Sequence, residues 1–187
     1  MRGRGAARGG VDAIPRARAT PGWIAATVRL VNVDPTIPLV IRTLEEGDLD
    51  AIESFEPAGQ GFVRAVWARQ HAGRSTLLVA WHGAEPIGSG EIAWDGAVPE
   101  LRNLAVRAPH RGSGVGSALI AAAERHVGSG RLLEIGVGDD NPGAAALYLR
   151  LGYRPTGARV TTTYFYIDDE SVRRCATEVS QMLVKRV

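Results

Sequence analysis

Six consecutive residues, Arg111-Gly-Ser-Gly-Val-Gly116, stand between a run with strand character, Pro99 to Val106, and an alanine-rich helical stretch, Ser117 to Val127. Strand, glycine-rich turn and helix start in that order leave few folds open, because glycine admits backbone conformations and close approaches that other residues resist. The first N–H groups of a helix have no partners inside it, so they point outward and favour an anion, most readily a phosphate. Arg111 sets a permanent positive charge beside that turn. Residues Arg111, Gly112, Ser113, Gly114, Val115, Gly116 and Ser117 therefore form a candidate grip for a pyrophosphate.

Two common nucleotide grips fit poorly. A dinucleotide fingerprint requires a third glycine where this chain has Ser117, and a P-loop requires Gly-Lys-Ser/Thr, whereas the only lysine is Lys185. The stretch Leu104-Ala-Val-Arg-Ala-Pro-His-Arg-Gly-Ser-Gly-Val-Gly-Ser-Ala-Leu119 instead resembles the acyl-CoA-binding motif of the GNAT superfamily of N-acyltransferases. A second string, Asn141-Pro-Gly-Ala-Ala-Ala-Leu-Tyr-Leu-Arg-Leu-Gly-Tyr153, resembles that family's Asn-x-x-Ala-x-x-Leu-Tyr-x-x-x-Gly-Phe/Tyr signature, in the expected order.

The resemblance covers roughly Pro38 to Val187. It implies an α/β (α+β) domain with a single mixed, largely antiparallel sheet flanked by helices. It also implies acetyl-CoA as co-substrate, no metal, and a primary amine of a small molecule or peptide as acceptor. By the same resemblance Leu104, Ala105 and Val106 lie beside the acyl arm and supply a main-chain oxyanion donor. Residues 111–117 hold the pyrophosphate, Tyr148 faces the sulfur, and Asn141 is a candidate cofactor contact. Glu100 matches an acidic base that some members carry on the same strand, with Glu134 as runner-up.

The residues carry alternative readings. Ala144, Leu147, Tyr148 and Leu151 form a core stripe at i, i+3, i+4 and i+7, so the Tyr148 ring can pack while its hydroxyl reaches the site. Glu100 also reads as a solvent-facing strand residue. Glu45, Glu46, Glu53 and Glu56 suit either attraction of a cationic amine or a plain solvated face. His71, His82, His110 and His126 show no metal spacing and read as surface or loop residues. Cys175 falls in an expected loop without a nearby base.

Composition bounds the rest. The chain of 187 residues is 45% apolar, enough for one domain with a real core. No apolar run reaches 18 residues, so no membrane-spanning helix is expected. A single cysteine leaves the cytoplasm as the default compartment. Residues 1–20 hold five arginines against Asp12, a net of +4, which leaves −2 for the remainder and makes the basic pI a property of the tail. Residues 1–37 therefore read as a basic extension, disordered to about residue 22, ahead of the domain at 38–187. Nucleic-acid binding by that tail is disfavoured because no aromatic residue interleaves before Trp23. A monomer or homodimer is expected. A noncatalytic acyl-CoA-binding or regulatory module is the alternative to an enzyme.

Local patterns predict the order β-α-α-β-β-β-α-β-α-β-β. Strands are expected at 39–43, 76–82, 85–94, 99–106, 132–137, 160–167 and 179–184, and Asp168 to Glu178 as a long polar loop. Asp48 is a candidate cap for a helix running to about Phe55, and Phe62 to His71 a second helix. Asn141, Pro142 and Gly152 bracket a late helix as cap, first residue and terminator.

Overall fold

The computed structural model describes residues 37–168 and 170–187; residues 1–36, to which nearly all of the expected N-terminal extension belongs, lie outside it. Seven strands form one sheet in the order β1-β2-β3-β4-β5-β7-β6. They are β1 Leu39–Thr43, β2 Ser75–His82, β3 Glu85–Ala93, β4 Glu100–Val106, β5 Leu132–Gly138, β6 Arg154–Ile167 and β7 Arg173–Arg186. Every neighbouring pair is antiparallel except β4 and β5. That parallel pair requires a crossover, which is helix α3, Val115–Val127. Helices α1 (Leu49–Glu53), α2 (Phe62–His71) and α4 (Pro142–Arg150) complete the described elements. Among the described residues, no helix is long and apolar enough to cross a membrane.

Side chains alternate across β2 and build a core on each face. Leu77, Val79 and Trp81 join Leu49, Ile52, Val63 and Val66 of α1 and α2. Leu78 and Ala80 join Leu101, Leu119, Ile120 and Ile135 on the face carrying α3. Burial on both faces explains why β2 reads as an unbroken apolar run.

The late helix begins and ends as its sequence dictates. The Asn141 side chain accepts a hydrogen bond from Ala144 N–H at 3.1 Å, Pro142 opens the helix, and Gly152 follows it with φ of 94°.

Two local expectations need correction. Asp48 stands at the start of α1, but its side chain makes no capping bond to that helix: it is buried, and its carboxylate takes two 2.6 Å hydrogen bonds from Arg42 and one from Glu45 N–H. A short 3-10 turn at Glu46–Asp48 precedes α1, which ends at Glu53. The stretch Asp168 to Glu178 is not a long loop, because β7 starts at Arg173. Asp168 closes the turn, its carboxylate accepting from Glu170 and Val172 N–H while its own N–H donates to the Val172 carbonyl. Most side chains in the outer half of this hairpin are exposed, so no apolar alternation marked it as strand.

Gly88 is required for packing rather than conformation. A Cβ there would lie 2.9 Å from the Ala105 carbonyl oxygen and 3.2–3.3 Å from Leu119 and Val115. Gly88→Ala should therefore cost about 1–3 kcal/mol in urea unfolding. Gly47→Ala, whose new methyl meets nothing within 4 Å, should stay within about 0.5 kcal/mol of the parent.

Candidate active site

Strands β4 and β5 pair at only two positions, Glu100 with Glu134 and Leu101 with Ile135. Beyond them β4 continues along β3 and β5 continues along β7, so their facing edges are unpaired. A cavity of about 520 Å³ opens at this divergence, with Arg102, Asn103 and Leu104 on one side and Gly136, Val137 and Gly138 on the other.

A β-bulge directs β4 into the divergence. A three-residue step along β4, from Arg102 to Ala105, spans the two-residue step from Glu91 to Ser89 on β3, and Asn103 takes φ of 52°. Asparagine tolerates that left-handed backbone better than most residues, and here Glu91 fixes it. The Glu91 carboxylate is fully buried and accepts from Asn103 Nδ2 at 2.9 Å, Arg69 Nε at 2.9 Å, Arg69 Nη2 at 3.1 Å and Arg102 Nη2 at 3.2 Å. Burial acts to raise its pKa, yet the hydrogen bonds and charges of the two arginines leave it below the ordinary value. Sequence reasoning missed this hub, although a lone acidic residue inside a buried strand, Gly90-Glu-Ile-Ala93, was its visible signal.

Of the residues singled out in the sequence, Glu100, Leu104, Asn141 and Tyr148 line the cavity. Glu100 is half-buried rather than solvent-facing, and its Oε1 lies 3.8 Å from where a Cβ of Gly136 would stand. Burial raises its pKa; Arg102 opposes this, while the charges of Glu134, Asp95 and Glu91 add to it. Glu134 does not line the cavity. Tyr148 is 6% exposed, and burial pushes its hydroxyl up to about 12. That hydroxyl has no hydrogen-bond partner among the described residues.

Residues 111–117 lie outside the cavity wall but adjoin it. Arg111 Nε donates to the Val106 carbonyl at 3.0 Å, tying the loop to the end of β4. Gly112 and Gly114 take φ of 77° and 90°, and a Cβ on either would meet nothing within 4 Å, so backbone conformation alone demands glycine there. Helix α3 has its first hydrogen bond from Ala118 N–H to the Gly114 carbonyl, which leaves the N–H groups of Val115, Gly116 and Ser117 without intrahelical acceptors. The Val115 side chain is in the core, leaving its main chain for a ligand. Ser113 Oγ donates to the His110 carbonyl at 2.6 Å. Gly116 approaches Val106 and Leu147, placing this helix start against α4. Ala105 is buried and Val106 half-buried.

A profile of the Acetyltransferase (GNAT) family matches residues 42–153, spanning β1 through α4 and its terminator. The chain belongs to this family. Solved structures agree on the fold. An N-acetyltransferase from Staphylococcus aureus Mu50 is 15% identical, with a TM-score of 0.59 over 80% of this chain and 98% of its own. The ribosomal-protein-S18-alanine N-acetyltransferase of Escherichia coli is 17% identical, with a TM-score of 0.57 over 80% and 94%. The PaiA N-acetyltransferase of Thermoplasma acidophilum, in complex with coenzyme A, is 16% identical, with a TM-score of 0.56 over 81% and 100%. No curated protein matches this chain.

Other residues resolve against this frame. His110 is buried at 2% exposure, not at the surface, and burial lowers its pKa. Glu56 accepts from Phe62 and Val63 N–H at the start of α2, and Glu53 pairs with Arg64; neither they nor Glu45 and Glu46 line the cavity. Cys175 is exposed on β7 rather than in a loop. Among the described residues no group of three or more His, Cys, Asp or Glu is placed to hold a metal ion.

Glu91 gives the site its rigidity, and stability should show it. Glu91→Ala leaves two arginines facing an empty acceptor and should cost about 3–5 kcal/mol in chemical denaturation. Because folding lowers the Glu91 pKa, its contribution is present above the unfolded-state value and fades as pH falls through the folded one. Glu91→Gln should accordingly flatten the acid side of the stability curve.

Proposed function

We propose that this family member is an N-acetyltransferase that moves the acetyl group of acetyl-CoA directly to a primary amine of a small molecule or peptide. The observation that carries the reading is the parting of β4 and β5 beside the cavity-lining Tyr148, whose hydroxyl has no partner among the described residues. Main-chain N–H groups at 115–117 and the charge of Arg111 suit a diphosphate at the outer end. The unpaired edges of β4 and β5 suit an extended amide-bearing arm laid between them. When bound, the thioester supplies an activated acyl carbon and a thiolate leaving group.

The protein must supply three things. The first is a neutral amine: an alkylammonium of pKa about 10.4 is neutral in roughly one molecule in 2,500 at pH 7, a handicap near 4.6 kcal/mol. Glu100 accepts that proton, directly or through one water, and its burial-raised pKa makes it a better base than an exposed glutamate. The second is a donor for the oxyanion, a role that the main chain of Leu104 to Val106, unpaired on its β5 side past the bulge, suits. The third is help for the leaving sulfur. Proton transfer from a phenol at about 12 to a thiolate near 8.5 is uphill by about 5 kcal/mol. Tyr148 therefore works as a hydrogen-bond donor to the thiolate, and the proton released by the amine reaches sulfur later through solvent.

Calorimetry with CoA and release of free CoA thiol over a panel of amines test this reading together. Binding of CoA with no thiol release from any amine would favour the noncatalytic module. Tyr148→Phe should lower kcat roughly 100-fold or more while leaving CoA affinity unchanged. Folding raises the Glu100 pKa above its usual 4.5, so the active carboxylate is lost as pH falls through that higher value. Glu100→Gln should remove this acid limb from the kcat/KM profile.

A further inference from the structure

The cavity carries a second acidic position that the transfer chemistry does not use. Glu178 on β7 lies in its wall, and its Oε1 stands 2.5 Å from where a Cβ of Gly138 would be. Asp140, exposed and outside the cavity wall itself, brings Oδ1 within 2.9 Å of the same point. Two carboxylates thus converge over one glycine, in space that any other residue at 138 would fill. Among the described residues neither has a basic partner within 4 Å. Among the described residues, the Glu178 carboxylate accepts one hydrogen bond, from Ser180 Oγ at 3.4 Å.

The two cavity arginines do not neutralise them, because Arg69 and Arg102 both turn to the buried Glu91. That trio keeps one net positive charge, against Glu100, Glu178 and Asp140. The Tyr164 ring lies alongside: its hydroxyl pKa is raised by burial first, then by Glu178, Tyr166 and Asp140. Tyr164 and Tyr166 place two aromatic rings, 6.3 Å apart, in the same wall, and ring faces attract cations. The hydroxyl of Tyr148, on a residue 6% exposed that lines the same cavity, has no hydrogen-bond partner among the described residues, which marks the cavity as a ligand site by a second observation.

We infer that Glu178 and Asp140 form a subsite for a second cationic group of the acceptor, so that the amine substrate is an aliphatic diamine. This inference rests on the transferase reading for which end of the substrate reacts. Glu100 approaches Gly136, and Glu178 and Asp140 approach Gly138, two residues along the same face of β5. That spacing is about 6.6 Å, the reach of an extended spacer of about four carbons between two nitrogens. One ammonium loses its proton near Glu100 while the other stays charged over Gly138.

Binding is measured apart from turnover, by calorimetry of 1,4-diaminobutane and of n-butylamine on the full chain saturated with CoA at physiological salt. The diamine should bind roughly tenfold tighter or better, as one added charge-assisted contact warrants. Glu178→Gln should erase most of that advantage and leave butylamine unchanged. Asp140→Asn, at an exposed position where folding is not at stake, should reduce it in the same direction. Equal affinity for the two amines, no detectable diamine binding, or a diamine advantage that survives both variants would overturn the subsite. Thiol release by the parent protein is scored separately: its failure would count against the transferase reading and leave the binding comparison standing.

Discussion

A parallel pair of strands that bonds at two positions and then parts is the constraint from which the rest of this structure follows. Two strands of a sheet normally satisfy each other's main chain along their shared length. Here β4 and β5 do so only at Glu100–Glu134 and Leu101–Ile135. The separation is held open from both sides. The bulge at Asn103 turns β4 toward β3, and the full register with β7, from Leu132 to Gly138, commits β5 to the other side. A third extended chain, such as an acyl carrier arm, is the natural complement to two facing unpaired edges.

The bulge persists because Glu91 binds it from below. Burying a carboxylate is costly unless it is paired and hydrogen-bonded, and Glu91 meets that requirement with four donors from three residues. One consequence is rigidity at the point where an oxyanion would form. Another is electrostatic: the arginines of the cavity are largely spent on Glu91, so the charges left facing a substrate are acidic. Tyr148 shows the same economy. The burial that packs its ring raises its pKa, which keeps the phenol protonated and fits it to donate a hydrogen bond.

Much of this was legible in the chain. The glycines of 112 and 114, the cap at Asn141 and the terminator Gly152 are local instructions, each satisfied within a few residues of itself, and each appears as its sequence requires. The long β6–β7 hairpin was only half visible, because alternation records burial and the outer part of that hairpin buries little. Asp48 misled for a related reason. An aspartate ahead of a helix suits a cap, but Arg42 on the adjacent strand offers two charged hydrogen bonds, which outweigh one neutral N–H.

Sequence by itself determined the order of elements, the glycine-rich turn before α3, the helix boundaries around Tyr148 and the family, since all of these are written in short-range patterns. Tertiary structure alone decided that Glu91 and not Glu100 carries the arginines, that His110 is buried, and that Glu178 meets Asp140 over Gly138. Those groups lie on different strands, helices and turns; the pairing of β3 with β4 sets Arg102 beside Glu91, and the pairing of β5 with β7 brings Glu178 to Gly138. Contacts across dozens of residues leave no periodic trace in a chain. They exist only once the sheet has chosen its register.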